Sequence, residues 1–157
     1  MKTTNYRYEI PLETIQRRRN EDFRMEVGDR VKKFGLGADL NDMDLTNVTS
    51  LDNIFSDPVM QGFHGDISKW DVSKITNMSF VFMRADVNVD ISKWDVSNVK
   101  SMSHMFWRAK FTGDISSWNI SNVTNMSHMF SNSNINQENI LWGLPSSKWK
   151  SLFKNIG

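Results

Sequence analysis

Cysteine is absent from the 157-residue chain, which removes disulfide frameworks, thiolate metal sites and thiol nucleophiles from consideration. Proline (3) and glycine (8) are too few for a linker or a collagen-like repeat. No run approaches the roughly 18 consecutive apolar residues of a membrane-spanning helix. Met1 to Tyr8 contain no apolar core of the secretory type, so no export signal is expected. Phosphate-binding glycine loops, His-Glu metal helices and nucleophile elbows are also missing. The length suits one domain with a sizeable core. What the chain holds in quantity is tryptophan (6), methionine (10) and phenylalanine (10).

An internal repeat accounts for much of that aromatic and methionine content. The segment Asp66 to Ser79 recurs without gaps from Asp90 and from Asp114, a period of 24 residues. Trp70, Trp94 and Trp118 share a column, as do Met78, Met102 and Met126, and Phe82, Phe106 and Phe130. A worn copy starts at Asp39 with three extra residues around Asp57-Pro58-Val59-Met60, and a half-copy begins near Glu138. Within a copy, Trp70 and Val72 stand two apart, which predicts a short strand. Ile75, Met78, Phe82 and Ala85 then follow at three- and four-residue steps, which predicts a helical turn. Gly65 and Gly113 are expected to close the turn before the next strand. Such a unit cannot bury its apolar face alone, and stacking makes the core continuous. The expected fold is therefore α/β, a short solenoid with a parallel strand ladder, helical turns behind it and helical caps at both ends.

The string Asp-Ile-Ser-x-Trp-Asp-Val-Ser-Asn-Val-Thr-Asn-Met-Ser-x-Met-Phe, nearly letter for letter at residues 90–106 and 114–130, resembles the BspA-like leucine-rich repeats of bacterial and mycoplasma surface proteins. The resemblance implies a leucine-rich-repeat ladder and a role in adhesion or protein contact at the cell surface. Short copies without a leader also look like phage or mobile-element proteins, for which it implies binding and inhibition of a host protein, such as a defence factor.

The flanks read as caps, giving segments 1–38, 39–142 and 143–157. Tyr6, Tyr8 and Ile10 alternate as a short strand, and a helix is expected from Pro11 to Gly35, with Phe23, Val27, Val31 and Phe34 on its apolar side. Trp149, Leu152, Phe153 and Ile156 predict a closing helix. Residues 39–137 carry 7 basic and 11 acidic side chains, net −4. That body would repel phosphates, so nucleic acid is not the expected partner despite Arg17-Arg18-Arg19.

Chemistry-bearing residues occur only as repeat positions. His104 and His128 share a column that Phe80 and Asn53 interrupt, so no metal ligand set is expected. The Asp66, Asp90 and Asp114 column suits Asx turns better than calcium, which takes six or more oxygens. No cofactor and no catalysis are expected. Two surfaces are candidates for a protein partner. One is the polar outward face of the expected strands, with Lys69 and Lys93 in one column and Asp71 and Asp95 in the next. The other is where the repeat breaks: Met83 and Trp107 replace Ser56 and Ser131, Phe80 replaces Asn53, and Arg84 and Arg108 follow directly. Large apolar residues beside arginine have the composition of interface hot spots. Homodimerisation through Trp107 is a further option. The insertion at Asp57-Pro58 is a second place for a partner. The expected function is a non-catalytic protein-binding module in the cytoplasm of a bacterial host, with a surface adhesion protein as the alternative.

Overall fold

The computed structural model describes residues 10–135, Ile140 and Leu152. Tyr6, Tyr8 and, apart from Leu152, the expected C-terminal helix lie outside the described residues. Helix α1 runs Leu12–Phe34. Pro11 starts it, its carbonyl accepting from the N–H groups of Thr14 (2.9 Å) and Ile15 (3.1 Å). Gly35, at φ 84°, ends it by donating to Val31 O. Phe23, Val27 and Val31 form its buried stripe, and Phe23 meets the Trp70 ring edge-on at 5.5 Å. Gln16 Nε2 donates to Asn47 O (2.8 Å) and Asn20 Oδ1 accepts from Thr49 N–H (3.0 Å), fixing α1 to the first copy of the repeat.

The expected strand ladder is not there. Among the described residues there is no strand, and parallel pairing is confined to isolated bridges such as Ser50 with Asn77, Asn77 with Ser101 and Ser101 with Asn125. The α/β leucine-rich-repeat solenoid is thereby overturned. Residues Ile67 to Ile75, read as a strand and the start of a helical turn, form two consecutive tight turns. Trp70 N–H donates to Ile67 O (3.1 Å) and Ile75 N–H to Val72 O (2.9 Å). The same pair recurs at Ile91–Trp94 and Val96–Val99, and at Ile115–Trp118 and Ile120–Val123. The reason is local competition. The carboxylate of Asp66 takes Ser68 N–H (2.9 Å) and that of Asp71 takes Ser73 N–H (3.1 Å), so these donors are withdrawn from any ladder.

The expected helical turn is also replaced. Asn53, Phe80, His104 and His128 share one column with φ between 55° and 60°, and Arg84, Arg108 and Asn132 share another with φ between 55° and 58°. Left-handed residues at four-residue spacing cannot continue an α-helix. Instead, alternate N–H groups point to the next copy. Met78 N–H donates to Ser101 O (2.8 Å), Phe80 to Ser103 O (3.0 Å), Phe82 to Met105 O (2.9 Å) and Arg84 to Trp107 O (2.8 Å). One copy further on, Met102, His104, Phe106 and Arg108 donate in the same way to Asn125, Ser127, Met129 and Ser131. Phe130 N–H donates to Leu152 O (2.9 Å), so the described fragment of the C-terminus receives the end of one such row.

Side chains repeat the same logic. Phe55, Phe82, Phe106 and Phe130 stack with centroids 5.4, 5.4 and 5.8 Å apart. Trp70 and Trp94 lie nearly parallel at 6.1 Å. The indole N–H of each repeat tryptophan donates to a carbonyl of the preceding copy: Trp70 to Leu40 O (2.8 Å), Trp94 to Ile67 O (3.2 Å) and Trp118 to Ile91 O (3.1 Å). Apolar burial and a directional bond are thus combined in one residue, which sets the register of each layer.

Gly65 and Gly113 do not serve as left-handed turn closers; among the described residues the positive-φ glycines are Gly35 and Gly62. A Cβ at Gly113 would press into the Phe111 ring, and one at Gly65 into Phe63 and Ala38 O. In the intervening copy the same two columns hold Val87 and Val89, both buried. Phe with Gly and Val with Val are therefore alternative fillings of one space. Gly113→Val alone is expected to destabilise by about 1–3 kcal/mol through overpacking. Adding Phe111→Val should recover much of that loss, giving a favourable coupling of about 1 kcal/mol in a urea-denaturation cycle. Additive losses would refute the exchange.

Candidate binding edge

The residues at which the repeat breaks meet at the left-handed wall. Trp107 is half-buried, with Arg84 4.9 Å and Arg108 4.5 Å from its ring centroid. Both guanidinium groups belong to exposed residues, while their backbones are pinned by bonds to Trp107 O and Ser131 O. Phe80 stacks on His104 at 4.9 Å, and His104 lies 5.0 Å from His128 and 6.4 Å from Trp107. Met83, half-buried, occupies the Trp107 column one copy earlier. Phe80, Met83, Arg84, Trp107 and Arg108 therefore stand on one edge.

His104 belongs to this cluster although Phe80 was expected to interrupt its column. The missed signal was planarity: a phenyl and two imidazoles continue one ring stack. Burial, followed by the charge of His128, pushes the His104 pKa below the usual histidine range and favours its neutral ring. Among the described residues, His104 Nδ1 and Trp107 Nε1 are buried without hydrogen-bond partners.

Lys69, Asp71, Lys93 and Asp95 are exposed but lie on turns, not on a sheet face. Asp71 and Asp95 each hold a backbone N–H, of Ser73 (3.1 Å) and Ser97 (3.0 Å). Lys69 contributes its own N–H to Asn41 Oδ1 (2.8 Å). The four residues sit on turns, and these bonds of Lys69, Asp71 and Asp95 are turn bonds. The insertion forms a 3-10 turn, Pro58–Met60, begun by Asp57 accepting from Val59 N–H. With α1 it borders a groove of about 510 Å³ that includes Arg24, Lys32, Asp57 and Val59. Arg17, of the basic triplet, is exposed and approaches Glu21 at 4.0 Å.

The Asp66, Asp90 and Asp114 carboxylates accept from Ser68, Ser92 and Ser116 N–H at 2.9, 3.0 and 2.9 Å. Among the described residues no three His, Asp or Glu side chains gather as a metal site. No helix there is long and apolar enough to cross a membrane. Residues 25–142 match the family model described as a Mycoplasma protein of unknown function, DUF285. The chain belongs to this family. No curated protein and no solved structure matches it. The DUF285 match begins inside α1 and takes in every residue of the Trp107 edge.

Two expectations follow from this geometry. Hydrogen bonding holds the turn aspartates below the usual carboxylate range. Serine or threonine side chains lead that effect at Asp44, Asp71, Asp90 and Asp95, and backbone N–H groups at Asp66 and Asp114. Depressed folded-state values stabilise the fold above the unfolded value, near 3.9, and that contribution is lost as pH falls through the folded values. The urea midpoint should therefore drop below about pH 4. A triple Asp66→Asn, Asp90→Asn, Asp114→Asn variant should show a shallower acid limb, because Asn119 makes the same bond to Ser121 N–H uncharged. An equally steep limb would contradict this. At the left-handed column, His104→Asn should be nearly neutral, since Asn53 stands there naturally at φ 60°. His104→Val should lose about 1–2 kcal/mol or more in the same measurement.

Proposed function

We propose that this chain is a non-catalytic protein-binding module whose partner docks on the edge formed by Phe80, Met83, Arg84, Trp107 and Arg108. The observation that carries the reading is the half-buried Trp107 ring with the guanidinium groups of two exposed arginines 4.9 and 4.5 Å from its centroid. Tryptophan and arginine dominate the energetics of protein interfaces, and a ring already fixed in place loses little freedom on docking. Reading the module as non-catalytic draws support from the repeat aspartates, whose carboxylates hold their own turns. Within this proposal the partner is a protein of the bacterial host, and occupation of its surface inhibits it, as a mobile-element product would.

A second reading is a surface or adhesion protein of the BspA-like kind. The mycoplasma description of the family favours it. Cell fractionation separates the two: recovery with the envelope supports adhesion, and recovery with the cytosol supports the inhibitor. For the binding reading, tagged protein should retain one stoichiometric protein from bacterial lysate, and Trp107→Ala should abolish retention with the fold intact by circular dichroism. Retention that survives Trp107→Ala, or no stoichiometric protein at all, would overturn it.

A further inference from the structure

We propose that the Trp107 edge is a receptor for an acidic peptide segment, its aspartate or glutamate carboxylates taken by Arg84 and Arg108; this rests on the protein-binding reading above. The first observation is charge without a partner. Some cations elsewhere on the chain find acids: half-buried Arg30 with Asp42 at 2.9 Å, and exposed Lys32 with Asp29 at 3.5 Å and Lys110 with Asp86 at 3.2 Å. Among the described residues others, such as Lys69 and Lys93, stand alone on separate turns. Among the described residues neither Arg84 nor Arg108 has an acid within ion-pair distance. The acid nearest along the chain to Arg84 is Asp86, and Lys110 already engages it.

The second observation is preorganisation. Arg84 and Arg108 are held at φ 58° and 55°, their N–H groups bonded to Trp107 O (2.8 Å) and Ser131 O (3.0 Å). Both guanidinium groups lie within 5 Å of the same ring centroid. Two like charges near one ring repel each other, and an anion bound beside them offsets that repulsion. Donors also outnumber acceptors here. The two exposed guanidinium groups can only donate. An acceptor-rich occupant is what such a cluster lacks.

The chemistry of the surrounding body chooses among anions. Residues 39–137 carry 11 acidic against 7 basic side chains. That field opposes every anion, but a nucleic acid or a phosphate dianion more strongly than a single carboxylate, and a carboxylate still matches the planar guanidinium forks bidentately. Phe80 and Met83, half-buried on the same edge, suit an apolar side chain interleaved with the acids.

The probe is a fluorescein-labelled peptide with two glutamates flanking one leucine in an otherwise uncharged sequence, titrated into the full chain and followed by anisotropy. Saturable binding is expected, weakened about tenfold by Arg84→Asn or by Arg108→Asn. Asparagine suits that backbone, because Asn132 occupies the same column at φ 58°. Binding should be lost in the double variant and with the glutamine version of the peptide, while circular dichroism and the melting temperature stay unchanged. No saturable binding, binding indifferent to both substitutions, or tighter binding of a phosphoserine peptide or single-stranded DNA would overturn the proposal. Lysate retention separates this failure from that of the parent reading. If Trp107→Ala abolishes retention of the stoichiometric protein and the double arginine variant does not, the edge binds a protein but not through its acids.

Discussion

Between Asn77 and Arg84 alternate peptide planes are turned along the stacking direction, so that their N–H groups reach carbonyls of the following copy. That turn requires left-handed backbone at Phe80 and Arg84, and again at His104 and Arg108. Each such residue is disfavoured by about 1–2 kcal/mol. The bonds it enables are made inside a wall backed by Met78, Val81, Phe82 and Ala85, all buried, where an unmet peptide group would be more costly still. Strain and satisfaction are therefore coupled, and the rows of inter-copy bonds decide where the rest of the repeat has to lie.

The side-chain columns are a consequence. Once peptide planes superimpose from copy to copy, rings at equivalent positions superimpose too: the Phe82 and Trp94 columns inside, the Phe80 and His104 column at the rim. The same left-handed turn that sends the Arg84 N–H along the stack leaves its side chain exposed, within reach of the ring one copy on. The candidate binding edge is thus built from the backbone device itself, and its two arginines are fixed by bonds that also hold neighbouring copies together.

The 24-residue period and the identity of the core columns could be read from the sequence because burial acts on residue type at fixed spacing, and Trp70, Met78 and Phe82 are all buried. The extent of α1 was legible through Pro11 and Gly35. Backbone conformation within a copy was not. Trp70 and Val72 stand two apart, which a strand and a pair of linked turns satisfy equally, and the deciding factor was whether Asp66 and Asp71 would capture their local N–H groups. Left-handed geometry at Phe80 and Arg84 had no glycine to announce it. The grouping of Arg84 with Trp107 was inferable from stacking, whereas the extension of that cluster through His104 required knowing that rings of different chemistry share a stack.

Layers that offer the same donors above and the same acceptors below are interchangeable parts. The indole of Trp94 finds Ile67 as that of Trp118 finds Ile91, and the peptide row that leaves Phe82 for Met105 leaves Phe106 for Met129. Gain or loss of a whole unit by recombination between near-identical gene segments would therefore leave every seam matched, while a frame-preserving change of any other length has to be looped out, as the bulge at Pro58–Met60 is. Length in this architecture is evolutionarily cheap, and a lineage can lengthen the body or reposition an arginine-flanked tryptophan along it without redesigning a core.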